Sequence, residues 1–328
     1  MPETLRIIIL MKEQNNMTNP PRNSLLDSKA AVPFLALFCC ALWGSAFPCI
    51  KLGYAWLQIS DTGSQILFAG YRFFLAGILT FLLGSVLERK VCAPRWKSVP
   101  MIFGQGILQA TIQYVFFYIG LSHTTGAKAS IINASNAFFA IIIAHFLLQN
   151  EKITWRKCIG CFVGFAGVIV MNLVPGALGD GFSWNGEGFV LLCSIAYGAS
   201  SVTLKKIGHL ETSTTITAFQ LLFGGAVLIL IGWICGGQIH GFTIRAIVLL
   251  IYMAALSAVA FSIWTALLQH HLVGKIAIYG FSIPVFGVVL SGLLLGETMV
   301  NLFNLLALVL VSVGIIVVNR TPGKQTAN

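Results

Sequence analysis

Apolar residues fill this chain in runs too long and too closely spaced for a water-soluble fold. Ten such runs lie near 31–53, 64–87, 99–121, 126–148, 156–174, 186–206, 213–235, 244–268, 272–295 and 299–318, with short gaps between them. An α-helix needs about 20 apolar residues to cross the hydrocarbon core of a bilayer. Backbone polar groups cannot be left unpaired there, so each run is expected as a helix. Charged residues make up 9% of the 328 residues, against roughly 25% in a soluble domain. That is too few to coat a globule. The expected fold is an all-α integral membrane protein of ten transmembrane helices.

The basic residues sit in the gaps and tails rather than on a polar face, which argues against nucleic-acid binding despite a net charge of +10. Sixteen of the twenty Lys and Arg occupy the tails and alternate gaps, such as Arg89, Lys90, Arg95 and Lys97, or Lys152, Arg156 and Lys157. The intervening gaps hold Lys51, Lys128 and Arg245, and Arg72 lies inside the second run. Lys and Arg accumulate in cytoplasmic loops. Both termini are therefore expected in the cytoplasm, in a multi-pass plasma-membrane protein with an even number of spans. Residues 1–30 read as a polar, disordered cytoplasmic tail. A first five-helix unit over 31–174 is joined by a Gly- and Pro-containing extracytoplasmic linker, 175–185, to a second unit over 186–320, and 321–328 is a cytoplasmic tail. The apolar stretch 6–10 is too short for a signal peptide, and Met11 or Met17 would serve as a start as well as Met1.

The two units read as copies of one pattern. Trp43, Gly44, Ser45 and Lys51 match Tyr197, Gly198, Ala199 and Lys205 at a constant shift of 154. Residues 71–77 line up with 219–225, His123 and Gly126 with His271 and Gly274, and Asn150-Glu151 with Gly296-Glu297. Five spans per copy is an odd number, so the copies are expected in opposite orientations. Inverted repeats set a solute site near the membrane midplane and let one half rock against the other.

The same residues carry a family resemblance. Trp43-Gly44-Ser45-Ala46-Phe47, Arg72 with Ala76, and Ser282-Ile283-Pro284-Val285-Phe286 followed by Gly296-Glu297 are similar to the motifs of the EamA-type permeases of the drug/metabolite transporter superfamily. The resemblance covers nearly all of 33–320, in two copies. It implies ten helices around a central cavity and the export or uptake of small metabolites. Phe138 stands where the second copy has Pro284, and Val202 stands opposite Pro48. The first helix, rather than the sixth, is then the one expected to bend.

Arg72 is the most constrained candidate. An arginine at the bilayer centre costs about 2.5–3.5 kcal/mol on insertion scales, so it should face the bundle interior or water. It either holds an anionic group such as a solute carboxylate or ties helices together through backbone carbonyls or Glu297. Gln105, Gln109 and Gln113 recur every four residues as one stripe on the third helix, and Asn133 and Asn136 share a face of the fourth. Amides at this depth either glue helices or line a wet cavity. Tyr114, Ser257 and Ser262 would extend that lining, with Trp43, Tyr197, Trp264 and Tyr279 as aromatic walls or packing residues. Gly44 and Gly198 are expected as close-packing points, and Pro48 and Pro284 as hinges. Glu151 and Glu297 end two runs a few residues before the next, as caps of the following helices or as coupling groups. His145 is the only histidine well inside a run and could titrate near neutral pH.

No Asp or Glu lies deep inside a run, so proton coupling would have to use His145 or a helix-end glutamate. No GxxxxGK[ST] loop for ATP is present. Cys158-x-x-Cys161 opens an apolar helix with no second pair or histidine cluster beside it, so the cysteines read as small core residues; no metal or cofactor is expected. The sequence reads as a permease, not an enzyme, that moves a small polar metabolite, an amino acid or a relative of one, outward by alternating access. The alternatives are a nucleotide-sugar or drug carrier of the same fold, which would want basic residues along its cavity, a membrane receptor or scaffold, and a membrane enzyme acting on a lipid-linked substrate, which would want a His/Asp/Glu constellation at one membrane face. Expected partners are a small-molecule solute, the lipid bilayer and a second copy in a homodimer, with no nucleic acid.

Overall fold

The computed structural model describes residues 26, 28, 30–123, 132–171, 183–295 and 302–319, which are helical but for short turns. Lys128, Glu297, the tails beyond these bounds and most of the expected linker lie outside the described residues. In chain order the helices are α1 (Ala31–Leu57), α2 (Thr62–Leu87), α3 (Val99–Gly106), α4 (Gln113–Ser122), α5 (Asn136–Leu147) and α6 (Trp155–Met171), then α7 (Phe189–Ile207), α8 (Ser213–Ile234), α9 (Ile244–His270), α10 (Val273–Ala277), α11 (Ser282–Leu295) and α12 (Leu302–Asn319). α3 runs into α4 through a π-helical stretch, Ile107–Ile112, and a second one, Trp184–Gly188, opens α7. A 3-10 turn, Ile278–Phe281, joins α10 to α11. Among the described residues six helices are long and apolar enough to cross a membrane, and shorter apolar helices cover Ile132–Leu147, Val273–Gly287 and Leu305–Asn319.

Side chains satisfy the helix starts that face the gaps. The Asp61 carboxylate accepts from the Ser64 amide at 2.8 Å, and the Thr212 and Thr243 hydroxyls accept from Thr215 and Ala246 amides at 3.2 and 3.3 Å. Each supplies an acceptor to a donor that the helix itself cannot pair. Outward-facing positions carry large apolar side chains, such as Phe162 and Trp233, as a lipid-exposed surface requires.

The packing repeats as the sequence does. α1 lies against α9 and α11, and α7, its counterpart, lies against α4 and α5; α2 crosses α8, and α6 crosses α12. Exchange of the two halves carries each of these pairs onto another pair or onto itself. The α2–α8 crossing shows the exchange at single residues. A Cβ on Gly77 would stand 2.7 Å from Leu222, and one on Gly225 would stand 2.4 Å from the Phe74 amide nitrogen. A shift of 148 carries 74 to 222 and 77 to 225, so both contacts are one contact written twice. In lipid, where helices gain no hydrophobic advantage by meeting, close backbone approach at small residues is a main source of association.

One polar node ties the α2–α3 connection to the start of α8. Glu211 accepts at one carboxylate oxygen from the Arg95 amide and Nε, both at 3.0 Å, and from the Ser98 hydroxyl at 2.7 Å. Arg95 also donates to the Leu210 carbonyl. Burial alone would raise the Glu211 pKa, but the Ser98 and Arg95 hydrogen bonds and the Arg95 charge outweigh it and hold the carboxyl below its ordinary 4.5. A depressed carboxylate pKa contributes stability that is complete above the unfolded value and is lost as pH falls through the folded one. Glu211→Gln is therefore expected to lower the melting temperature in detergent at pH 7, with the gap to wild type closing as the pH is taken below about 4.5. A gap that stays constant across that range would show that the carboxylate charge contributes nothing.

Candidate functional site

Between the two halves lies a cavity of about 80 Å³. A single enclosed water needs about 10–15 Å³ of such space, so the cavity has room for roughly five to eight non-hydrogen atoms. Of the sequence-derived candidates, Trp43, Arg72, Gln113, Tyr114, Asn133, Asn136 and Tyr197 line it together. They come from α1, α2, α4, the turn before α5, α5 itself and α7, so no single helix makes the site.

Arg72 is 1% exposed. Its Nε donates to the Ser257 hydroxyl at 2.8 Å, and that hydroxyl donates onward to the Met253 carbonyl at 2.9 Å. The guanidinium carbon stands 5.1 Å from the centroid of the Phe73 ring, and Phe73 packs on Tyr114 at 4.4 Å. A cation over a ring face gains from the ring quadrupole, most when water is excluded. Among the described residues neither a carboxylate nor a backbone carbonyl accepts from Arg72. The ion pairs found there, Lys90–Glu88 and Arg95–Glu211, lie elsewhere. The guanidinium is thus held at Nε, and Arg72 lines the cavity.

Other polar side chains share the lining. Gln113 Oε1 and Asn136 Oδ1 are buried with no hydrogen-bond partner among the described residues. Asn133 Oδ1 lies 3.7 Å from the Cys193 thiol, which can donate to it. Trp43, with its own indole N–H unpartnered, packs edge-on to Phe261 at 5.4 Å and to Trp264 at 5.0 Å. The cavity wall thus combines a buried cation held at Nε, amide side chains and aromatic rings.

Six candidates stand outside the lining: Gln105, Gln109, Ser257, Ser262, Trp264 and Tyr279. The expected glutamine stripe is split by the π-helical stretch, which places an extra residue in its turn and rotates the helix beyond it. Gln113 faces the cavity, while Gln105 donates to Gln109 Oε1 at 2.9 Å and to the Ser200 carbonyl at 3.2 Å. Trp264 lies behind Trp43. Tyr279 is buried, and its carbonyl accepts from the Cys40 thiol at 3.2 Å. Ser262 is half-buried on α9 away from the cavity. Phe117, Phe261 and Cys193 line the cavity without having been singled out in the sequence, because nothing in their residue type separates them from ordinary packing, and Phe47 and Ile283 of the two motifs line it as well.

The remaining candidates are structural in their contacts. A Cβ on Gly44 would stand 2.6 Å from that of Phe286, and one on Gly198 would stand 2.7 Å from the Ala140 amide, so both glycines sit at the seam between the halves. Pro48 is buried inside a continuous α1. Pro284 follows the 3-10 turn in the first turn of α11, where the missing amide is tolerated. His145, in the last turn of α5, accepts the Ile153 amide at Nδ1. Glu151 caps α10 in the other half rather than the helix that follows it.

Apolar helices in two exchangeable halves around a cavity with a buried arginine and amides on its wall fit a membrane solute transporter. The chain belongs to the EamA-like transporter family, whose model matches residues 31–173 and 184–320, and it is an integral multi-pass membrane protein of the drug/metabolite transporter type. It is 26% identical over 304 residues to the uncharacterized transporter YvbV of Bacillus subtilis, a match that covers 91% of this chain and 95% of that one. It is 24% identical over 296 residues to a probable amino-acid metabolite efflux pump of Salmonella typhimurium, covering 86% and 92%. A solved crystal structure superposes with a TM-score of 0.74 at 16% identity, over 89% of this chain and 97% of that one, which shows a shared fold.

A buried acceptor without a partner costs about 1–3 kcal/mol, and an apolar group of similar shape removes that cost. Asn136→Leu is therefore expected to melt in detergent, without solute, at or above the wild-type temperature. A clear loss of stability would show that the Asn136 amide is a helix tie rather than a group held open for a solute.

Proposed function

We propose that this protein carries a small zwitterion, an amino acid or a close relative, outward across the plasma membrane by alternating access. In this reading ten helices span the membrane as two inverted five-helix repeats, with both termini in the cytoplasm. The observation that carries the substrate class is that Arg72 lines one cavity with Gln113 and Asn136, whose side-chain oxygens are buried without a partner. A carboxylate meets the two Nη groups of Arg72 as a charge-assisted, bidentate pair. An ammonium group meets the amide oxygens and the aromatic faces, which attract cations. Trp43, Tyr114, Tyr197 and Phe261 would hold the apolar part of the solute. A cavity of about 80 Å³ suits a solute of this size better than a nucleotide sugar. The Salmonella relative named as a probable amino-acid metabolite efflux pump agrees in class.

Ser257 acts in this scheme through Arg72. Its hydroxyl fixes the guanidinium edge, so that the fork arrives already oriented and little side-chain entropy is lost on binding. The split of basic residues between alternate gaps supports the orientation, and the exchangeable packing supports the inverted repeat.

The test is flux in proteoliposomes with three matched solutes: a neutral amino acid, the amine that lacks its carboxylate and the acid that lacks its ammonium. The zwitterion is expected to move at least about tenfold faster than either analogue. Ser257→Ala should raise the half-saturating concentration about tenfold, since a hydrogen bond to a charged group contributes about 1.5–3 kcal/mol, and Arg72→Gln should abolish the preference for the carboxylate. Equal transport of the amine, or a preference unchanged in Arg72→Gln, would contradict the assignment.

A further inference from the structure

One end of the bundle is closed by polar contacts that the solute site does not use. Glu151, just after α5, is 2% exposed. One carboxylate oxygen accepts the Val273 amide and the other accepts the Gly274 amide at 3.0 Å, so a side chain of the first half caps α10 of the second. At the same end Lys205, near the close of α7, donates to the Gln269 and His271 carbonyls at 2.9 and 2.8 Å. Gln269 Nε2 donates back to the Gly208 carbonyl at 2.9 Å. His271 stands 2.7 Å from the Leu26 carbonyl, before α1. Burial first, then the nearby Lys275, His270 and Lys205 charges, lower the His271 pKa against the pull of that carbonyl, which leaves a neutral ring with one N–H to donate.

These contacts gather the ends of α5, α7 and α9 and the start of α10 into one cluster. The cavity lies in the other direction along the same helices. On α9, Phe261 lines the cavity and Gln269 joins the cluster eight residues later, about 12 Å at 1.5 Å per residue. On α7, Tyr197 lines the cavity and Lys205 joins the cluster eight residues later. Between the two levels on α9 lies Trp264, packed edge-on against Trp43 of the cavity wall. α5 and α10 therefore meet at this end, while Asn136, at the start of α5, and Ile283 of α11 stand on the cavity wall.

We infer that Glu151 and Lys205 form a latch that holds this mouth of the transporter shut and must open in each transport cycle. The inference rests on the alternating-access reading. For the cavity to reach this face, α5 must part from α10 and α7 from α9, and the carboxylate cap and the lysine's two carbonyl contacts are what those movements break. Both are charge-assisted hydrogen bonds, the carboxylate's buried and the lysine's half-buried, of the kind that is stronger than a neutral pair, and water entering the opened mouth can replace them. The sequence carries the same residue types again at the matching positions of the repeat, Lys51 for Lys205 and Glu297 for Glu151.

The test places a reporter between latch and cavity. Ser201 lies on α7 one turn from Tyr197 and one turn from Lys205, and it is buried. In a protein with Cys158 and Cys235 changed to serine, Ser201→Cys is treated with a membrane-impermeant methanethiosulfonate cation from each face in turn, the parent without Ser201→Cys correcting for the other thiols. Glu151→Gln and, separately, Lys205→Met are expected to raise the modification rate from the latch face by about tenfold, with no rise from the opposite face. Unchanged rates in both variants, in protein that remains monodisperse, would overturn the latch. A second arm oxidises the double variant Glu151→Cys, Gly274→Cys, with disulfide formation checked directly. Flux should stop on oxidation and return on reduction, and flux that continues through the cross-linked protein would equally overturn it. If the reduced protein moves no solute under any gradient, the carrier reading is what fails, and the labelling rates still decide the latch.

Discussion

A guanidinium buried in a membrane bundle needs hydrogen-bond acceptors and a counter-charge, and Arg72 receives only part of this from the described residues. Ser257 takes one N–H, and Phe73 lies beneath the plane of charge. Arg72 lines a cavity that is also lined by Gln113 and Asn136, whose side-chain oxygens are buried without a partner, and by Trp43, whose indole N–H is likewise unpartnered. Such an arrangement is costly in an empty protein, because unpaired buried groups lose the hydration they would have in water. The same cost becomes selectivity when a solute supplies the missing carboxylate and ammonium, since an analogue lacking either leaves a buried group unpaired.

The frame that keeps this site in place is made of small residues. Gly77 and Gly225 bring α2 and α8 into backbone contact, and Gly44 and Gly198 do the same for α1 against α11 and α7 against α5. Close approach fixes how each helix is rotated, and rotation decides that Arg72, Gln113 and Asn136 line one cavity. The duplicated contacts also suit a protein that changes state. If the two halves pack alike, exchanging their conformations gives a second arrangement of similar energy, as expected for carriers built from inverted repeats. The polar cluster at Glu151 and Lys205 then decides which arrangement this structure represents.

Much of this was legible in the sequence, for physical reasons that also mark where reading stopped. Helix positions followed from run lengths, and the match of 71–77 with 219–225 marked two equivalent segments, which the structure brings together at the α2–α8 crossing. Arg72 had to face inward because lipid cannot solvate it. What the sequence could not supply was rotation about each helix axis. These helices are apolar on nearly every face, so periodicity does not separate a cavity wall from a lipid-facing side. Phe117 and Phe261 were therefore invisible as lining residues, and Trp264 and Tyr279 were expected one layer too far in. The π-helical stretch at Ile107–Ile112 defeated the four-residue spacing of the glutamines, because that spacing assumes an unbroken α-helix. Glu151 was legible as a cap, but its partner, 122 residues away at Val273, depends on tertiary contact.

The central claim is that the counter-charge of Arg72 is the transported solute. A map of the protein determined with a bound neutral amino acid tests it most directly. The account predicts the solute carboxylate about 2.7–2.9 Å from the Arg72 Nη groups, with the ammonium facing Gln113 and Asn136. Solute density away from Arg72, or a protein carboxylate such as that of Glu297 paired with the guanidinium while the solute is bound, would contradict it.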